Sequence, residues 1–295
     1  MPYLRRKRNI RIERPESRIG AIVTGLDVNR LAADEWRALY DAWLLHNVLV
    51  VRGQDLGIEQ FLAYSALFGR LKPHRVRRTR HPKYPELTVT GQNARRADGD
   101  IAAPVYARGQ DWHTDGPWDT EIVKATQLYA LEIPSAGGDT LFANMYAAYD
   151  ALPLLLKERI EGLKAEFVYG GRTCQGADLS NPDDRPQPPA VHSIVRTHSE
   201  TGRKALYVNP IHIGRIVGWP EAESAALIDE LFSYMVQPGA EYRHKWEPGD
   251  LVIWDNRCSI HCAAGGYPVN ERRVHWRANI MEGRTEVRSS LGHAA

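Results

Sequence analysis

A succession of strand-like segments in the middle and C-terminal parts of the chain constrains the fold most. Each segment combines β-branched or aromatic residues with partial alternation of apolar and polar side chains, a pattern typical of strands. The segments are KATQLYALEI, TLFAN, VHSIVRTH, RKALYV, DLVIWDN and RRVHWRANIM. They predict a mainly β fold with outer helices (α+β), built on a β-sandwich or a double-stranded β-helix (jelly-roll) core.

Helical patterns precede and interrupt these strands. Residues 33–46 carry apolar side chains at helical spacing, and a second helical stretch, IEQFLAYSALFG, ends at Gly69. Two more helices are predicted at about residues 146–162 and 221–236. Because the helices lie at the start and in the connections, we expect them to pack outside the strands.

No shift in composition marks a domain boundary, so we predict one domain over residues 1–295. Residues 1–14 are predicted to be a basic N-terminal lead-in to a first strand, and residues 284–295 a C-terminal tail. Residues 92–110 and 170–190 are irregular and polar. Long loops of this kind are often functional, and we expect them to shape a ligand pocket.

The net charge of +2 gives no global field that would attract nucleic acid or a membrane, and neither partner is expected. No apolar run reaches the length that crosses a bilayer, and the basic N-terminus lacks the apolar stretch of a signal peptide. The three cysteines are too few for a disulfide framework, which favours a reducing, cytoplasmic location.

The stretch DWHTDGPW places an imidazole and a carboxylate two residues apart, at His113 and Asp115. The pair is either a histidine held by a carboxylate or two ligands of a metal ion. A third ligand is predicted at His261, which follows the strand-like DLVIWDN. Two histidines and one carboxylate leave one face of an octahedral ion open, which suits Fe(II). Cys258 and Cys262 flank His261, so a zinc site stays open as an alternative.

Several blocks in a fixed order extend this pattern over nearly the whole chain. They are WHTD, PSAGGDTLFANMYAAYDALP, VRTHSETGRKALYVNP, YRHKWEPGDLVIWDNRCSIH and ERRVHWRA. With them the chain resembles the taurine dioxygenase and 2,4-dichlorophenoxyacetate dioxygenase (TauD/TfdA-like) family of Fe(II)/2-oxoglutarate-dependent oxygenases. The resemblance implies that His113, Asp115 and His261 bind iron and form the catalytic centre, with 2-oxoglutarate and O₂ as cosubstrates.

The resemblance also implies roles for other side chains. Arg273 pairs with the distal carboxylate of 2-oxoglutarate, assisted by the hydroxyl of Thr140. Arg277 meets the acidic group of the primary substrate, and His74 matches a histidine that contacts the substrate. Trp118 is a further candidate for the substrate pocket. Without the resemblance, Thr140 would be an ordinary strand residue, Arg273 a solvated charge at a strand edge, and the basic run KPHRVRRTRH around His74 a solvated loop.

The implied reaction is hydroxylation of a small anionic organic substrate, such as a sulfonate or an aryloxyalkanoate, with release of succinate and CO₂. Gly109 replaces the asparagine that helps taurine enzymes to hold the substrate amine, which speaks against taurine itself. A homo-oligomer, a dimer or a tetramer, is expected by analogy. Two rival hypotheses are another metal enzyme on a β-barrel, such as a zinc hydrolase or isomerase, and a non-catalytic anion-binding module.

Overall fold

Strands form most of the regular structure in the computed structural model, which describes residues 10–74, 77–92, 111–169, 188–237 and 240–282. Within these ranges the strands are β1 (Arg11–Glu13), β2 (Ala21–Thr24), β3 (Val48–Val51), β4 (Arg70–Lys72), β5 (Leu87–Gln92), β6 (Val123–Glu132), β7 (Thr140–Asn144), β8 (Lys164–Phe167), β9 (Ala190–Ser193), β10 (Val195–Thr197), β11 (Lys204–Leu206), β12 (Ile213–Ile216), β13 (Tyr242–His244), β14 (Leu251–Asp255), β15 (Ser259–Ala263) and β16 (Arg273–Met281). The helices are α1 (Ala33–His46), α2 (Ile58–Ala66), α3 (Met145–Asp150), α4 (Leu154–Ile160) and α5 (Glu221–Met235). The mainly β prediction with few helices is therefore confirmed.

Helix α1 has the predicted bounds because both of its ends are capped locally. At the start, the Glu35 carboxylate accepts a hydrogen bond from the backbone N–H of Ala32, 2.8 Å away. At the end, Asn47 adopts a left-handed conformation with φ 64° and donates its N–H to Trp43.

The helix predicted over residues 146–162 is divided into α3 and α4. Pro153 lies at the break. Proline has no N–H to donate and disfavours helical backbone in the residue before it, so one continuous helix cannot pass through this position.

The largest sheet has the strand order β1-β2-β3-β14-β6-β16-β4, and β5 pairs with the other part of β16. Only β2 and β3 run parallel, while the remaining pairs of this sheet are antiparallel, so the sheet is mixed. A three-stranded sheet with the order β13-β7-β15 faces it, and the described part of the chain adds the sheets β12-β8-β9 and β10-β11.

Strand β14 shows how the large sheet separates two hydrophobic layers. Leu251 and Ile253 pack with α1 and α2 on one face. Val252 and Trp254 point the other way, where Trp254 packs against Phe142 of β7 with ring centroids 5.5 Å apart. The alternation follows from the two-residue period of a strand, and it places β7 and β15 beside the inner face of the large sheet.

Other predictions about the chain ends and loops fall partly or wholly outside the described residues. Strand β1 occupies part of the predicted lead-in 1–14. The predicted tail 284–295 and most of the loops 92–110 and 170–190 lie outside the described ranges. None of the described helices combines the length and the apolar character that crossing a bilayer requires.

Candidate active site

The two histidines of the predicted triad are joined by their backbones. His113 forms an isolated antiparallel bridge with His261 of β15, in which each N–H donates to the other residue's carbonyl at 2.9 Å. Their rings lie 4.2 Å apart. The bridge ties the segment that contains His113 and Asp115 to the strand of the distant third residue.

The three side chains form a group that is able to hold a metal ion, with possible ligand atoms within 4.8 Å of one another. The carboxylate of Asp115 lies 3.9 Å from Nε2 of His113 and 3.8 Å from Nε2 of His261. These separations are too long for hydrogen bonds. They are of the size expected for atoms that share one ion at about 2 Å from each.

The surroundings of both imidazoles suit this task. Nδ1 of His113 lies 2.8 Å from the carbonyl of Asp111, which can only accept, so Nδ1 is the donor and Nε2 is the nitrogen on the side of Asp115. Burial, with His113 nearby, holds the pKa of His261 well below its usual value, although the charge of Asp115 opposes this shift. His261 is therefore a neutral imidazole at neutral pH.

Asp115 is buried and remains ionised. Burial alone raises the pKa of its carboxyl, but Arg277 and the two histidines oppose this effect, and a hydrogen bond from Thr126 adds to them, so that the net pKa is lowered. Nη2 of Arg277 lies 2.7 Å from Oδ1, and the Thr126 hydroxyl donates to Oδ2 at 2.7 Å.

A hydrogen-bonded chain behind Asp115 sets the direction of the Thr126 donor. The indole of Trp254, which can only donate, donates to Oδ1 of Asn256 at 3.0 Å. The Asn256 amide nitrogen therefore faces Thr126 and donates to its Oγ1 at 3.0 Å. Since the threonine oxygen accepts that bond, its single hydrogen is available to Asp115.

The two residues predicted to hold 2-oxoglutarate are both buried. Nε of Arg273 donates to the carbonyl of Gly138 at 2.9 Å. Among the described residues no carboxylate lies within ion-pair distance of Arg273, and burial lowers the pKa of its guanidinium. The Thr140 hydroxyl oxygen accepts a hydrogen bond from Nε1 of Trp246 at 3.0 Å.

Comparison with known proteins decides the family. Residues 11–279 match the taurine catabolism dioxygenase TauD, TfdA family. The chain belongs to this family. It is 36% identical to an alpha-ketoglutarate-dependent 2,4-dichlorophenoxyacetate dioxygenase of Cupriavidus pinatubonensis over 80% of this chain and 85% of the relative.

Two further similarities agree with the TauD/TfdA assignment. An (S)-phenoxypropionate/alpha-ketoglutarate-dioxygenase of Sphingobium herbicidovorans is 32% identical over 94% of this chain and 96% of its own length. The crystal structure of a putative alpha-ketoglutarate-dependent taurine dioxygenase from Burkholderia xenovorans superposes with a TM-score of 0.77 at 29% identity, covering 92% of this chain and 90% of that one. The chain is thus an Fe(II)- and 2-oxoglutarate-dependent dioxygenase.

The three residues predicted to bind the primary substrate have different neighbours in the structure. Arg277 lies beside the group formed by His113, Asp115 and His261, where it pairs with Asp115. Trp118 packs edge-on against His212, with ring centroids 4.6 Å apart, and His212 lies 6.5 Å from His113. His74 follows β4, and its Nδ1 lies 3.2 Å from the Thr79 hydroxyl.

The alternative of a zinc site requires a cysteine thiolate beside His261. Within the described ranges, the group around His261 contains no thiol. Cys258 lies instead near His198 and Asp255, a second group with possible metal-binding atoms. There Arg257 makes two hydrogen bonds to the Asp255 carboxylate, at 2.9 and 2.6 Å. The positive charge that balances this carboxylate is therefore the guanidinium of Arg257.

Four residues close to the site were not predicted from the sequence. Thr126 and Asn256 hold Asp115, Trp246 contacts Thr140, and His212 packs between Trp118 and His113. Trp246 and Asn256 lie inside the block YRHKWEPGDLVIWDNRCSIH, which resembles the family. Their place in that block was the one feature of the sequence that could have indicated them. In the sequence Thr126 resembles an ordinary strand residue, because its partners Asp115 and Asn256 belong to other segments of the chain.

Proposed function

We propose that His113, Asp115 and His261 hold the Fe(II) of this dioxygenase. Two imidazoles and one carboxylate are the donor set that suits this ion and leaves positions open. When bound, the iron supplies, with 2-oxoglutarate and O₂, the oxidising power that releases succinate and CO₂ and hydroxylates a substrate C–H bond. The chain's own part is to orient the reactants and to fix the charges around them.

Arg273 and Thr140 bind the distal carboxylate of 2-oxoglutarate in this proposal. The single observation that carries the site is the buried guanidinium of Arg273, which has no carboxylate partner in the described part of the chain. A buried cation is costly unless an anion neutralises it. A planar guanidinium and a hydroxyl offer matching donors to such a carboxylate.

The primary substrate is a small organic acid, and an aryloxyalkanoate is the class that we favour. The relatives at 36% and 32% identity carry 2,4-dichlorophenoxyacetate and (S)-phenoxypropionate in their names. Arg277 binds the acidic group of the substrate and shares its guanidinium with Asp115, while His74 and Trp118 border the same substrate. Hydroxylation of the carbon beside the ether oxygen gives a hemiacetal, which then breaks the C–O bond.

The fold, the chain's organisation and its assembly complete the proposal. The large sheet and the β13-β7-β15 sheet form a double-stranded β-helix within a single domain over residues 1–295. The protein is a homo-oligomer located in the cytoplasm. Size-exclusion chromatography with light scattering tests the assembly, and a monomeric mass at micromolar concentration would contradict it.

A substrate panel tests the function. Aryloxyalkanoates, sulfonates and other small organic acids are incubated with the enzyme, Fe(II), ascorbate and 2-oxoglutarate, and succinate is measured. We expect the highest turnover with an aryloxyalkanoate and none in a His113→Ala variant. Full activity in that variant would refute the ligand assignment, and a sulfonate as best substrate would refute the substrate class.

A further inference from the structure

We propose that Trp246 is a positioning residue for the cosubstrate, because it turns the Thr140 hydroxyl into a dedicated donor to the distal carboxylate. Trp246 thereby adds to the preference that Arg273 gives the enzyme for 2-oxoglutarate over 2-oxo acids that lack this second carboxylate. The inference rests on the proposed roles of Thr140 and Arg273.

The direction of one hydrogen bond is the first step. An indole N–H can only donate, so at 3.0 Å the Thr140 oxygen is the acceptor. The threonine hydrogen then has to point elsewhere. Within the described ranges the Thr140 hydroxyl has no other hydrogen-bond partner, and Thr140 is only 4% exposed. A buried donor without an acceptor is unfavourable, and an incoming carboxylate corrects this.

The rigidity of the indole is the second step. Trp246 is 7% exposed and packs against two buried imidazoles, His244 and His275, each with its ring centroid 4.5 Å from the indole and steeply inclined to it. Nε2 of His244 is in turn 3.1 Å from the carboxylate of Asp250. Because these buried neighbours restrict the ring, the N–H keeps one direction.

The Trp246 indole also contacts the guanidinium of Arg273, which is the third step. The guanidinium carbon of Arg273 lies 5.9 Å from the centre of the Trp246 ring, within the range of a cation–π contact. One side chain therefore touches both groups that are proposed to receive the distal carboxylate. Replacing the indole by a benzene ring retains an aromatic face for Arg273 but removes the donor to Thr140.

The test compares two ligands of the Mn(II)-loaded protein by isothermal titration calorimetry. 2-Oxoglutarate has the distal carboxylate, and 2-oxobutyrate lacks it. In Trp246→Phe we expect binding of 2-oxoglutarate to weaken about tenfold, a typical effect for a hydrogen bond to a charged group, with binding of 2-oxobutyrate unchanged. Since Trp246 acts through Thr140, the double variant with Thr140→Val binds 2-oxoglutarate no more weakly than Thr140→Val alone.

Trp43→Phe is the matched control. Trp43 is fully buried, and its indole nitrogen has no hydrogen-bond partner among the described residues, so this change shrinks a ring without removing a bond. It should leave the binding of both ligands unchanged. Equal weakening of both ligands in Trp246→Phe, or additive losses in the double variant, would overturn the inference and leave a purely structural role for Trp246.

A second measurement covers the case in which Trp246→Phe does not fold. In the Zn(II)-loaded, ¹⁵N-labelled protein, the Trp246 indole N–H resonance is identified by its shift in Thr140→Val. It should move when 2-oxoglutarate binds and stay in place with 2-oxobutyrate; no movement with either ligand overturns the inference. If Thr140→Val and Arg273→Leu both retain 2-oxoglutarate affinity, the proposed cosubstrate site itself is wrong.

Discussion

At the scale of single residues, the site depends on polar atoms whose direction is set by neighbours that can only donate. Trp254 determines how Asn256 is oriented, Asn256 determines which way the Thr126 hydroxyl points, and Thr126 then holds Asp115. Groups behind a metal ligand fix its orientation and tune its affinity for the ion. We therefore expect the side chains behind Asp115 to affect metal binding, although none of them belongs to the proposed triad.

Thr126→Val tests this chain of hydrogen bonds. The change removes the donor to Oδ2 of Asp115 and leaves the buried amide of Asn256 without its acceptor. We expect the affinity for Mn(II) or Fe(II) to fall by about 10- to 100-fold, which metal titration would measure. Thr126→Ser is the control, since it keeps the hydroxyl and should retain most of the affinity. Unchanged metal affinity in Thr126→Val would show that Arg277 alone suffices to hold Asp115.

Arg273→Ala tests the buried cation. Removing one partner of a buried charge pair typically costs about 3–5 kcal/mol, so the concentration of 2-oxoglutarate required for half-maximal rate should rise at least about a hundredfold. Arg272→Ala is the matched control, because Arg272 is exposed and pairs with Glu132 at 2.8 Å. An unchanged requirement in Arg273→Ala would mean that another cation holds the cosubstrate.

At the scale of elements, strand β16 divides its residues between two tasks. The two-residue period of a strand puts Arg273, His275 and Arg277 on one face, and the contacts of Arg273 and His275 with Trp246 and of Arg277 with Asp115 agree with this. Trp276 and Ala278 on the other face pack with the helices α1 and α2. The same strand therefore supplies cationic groups to the site and apolar surface to the core.

The turn before β7 is fitted closely to Arg273. Gly138 has φ +74°, donates its N–H to Gly265 at 2.8 Å and accepts a hydrogen bond from Nε of Arg273. A Cβ at this position would lie 3.2 Å from Cδ of Arg273. A left-handed backbone and this close approach both favour glycine here, which gives a physical reason for the sequence GGDT.

Gly138→Ala should therefore damage the cosubstrate site as well as the fold. The left-handed backbone alone costs about 1–2 kcal/mol of unfolding free energy for a residue with a Cβ, and the crowded Arg273 should weaken 2-oxoglutarate binding measurably. Gly202→Ala is the control, since Gly202 has φ +69° but nothing within 4 Å of the added Cβ. It should lower the melting temperature and leave 2-oxoglutarate binding intact; a similar loss of binding in both variants would contradict the argument.

At the scale of the whole molecule, a buried charge network joins the end of β14 to the loop after β10. The Asp255 carboxylate accepts two hydrogen bonds from Arg257 and lies 3.0 Å from Nε2 of His198. Arg257 also reaches Glu200 at 2.8 Å. Burial alone raises the pKa of Asp255, but Arg257 and His198 oppose this effect, and the net pKa is lowered.

This network predicts acid sensitivity. A carboxyl whose pKa is lowered on folding contributes stability above its unfolded pKa of about 3.9, and this contribution is lost as the pH falls through the folded value. We expect the unfolding free energy of the wild type to drop below about pH 4. Asp255→Asn should lower it by about 3–5 kcal/mol at pH 7, since Arg257 loses its buried partner and keeps only the partly exposed Glu200. It should also flatten the pH dependence below pH 4.

Urea unfolding at pH 7, 4 and 3 provides the measurement. Asp150→Asn is the control, because the side chain of Asp150 is 66% exposed and its ion pair with Arg203 is screened by solvent. An Asp255→Asn variant with the wild type's slope below pH 4 would place the acid-sensitive group elsewhere in the molecule.

The sequence by itself determined the local elements and the chemistry that the chain carries. Helix α1 was predicted over its observed range because its apolar spacing and its caps are local properties. The short strands β1, β4, β8, β12 and β13 were not individually predicted, because three or four residues carry little periodic signal. The candidate donors His113, Asp115 and His261 were recognisable from their residue types and from the order of the surrounding sequence blocks.

Only the tertiary structure decided which groups meet. Arg277 pairs with Asp115, and Trp246 donates to Thr140, although the members of each pair lie more than a hundred residues apart in sequence. Thr126 donates to Asp115 from a separate element, β6. Their contacts depend on how β6, β7 and β16 are arranged across two sheets, and periodicity contains no information about that arrangement. The direction of each hydrogen bond likewise follows from its neighbours in space, because a hydroxyl or an amide can turn until a fixed donor orients it.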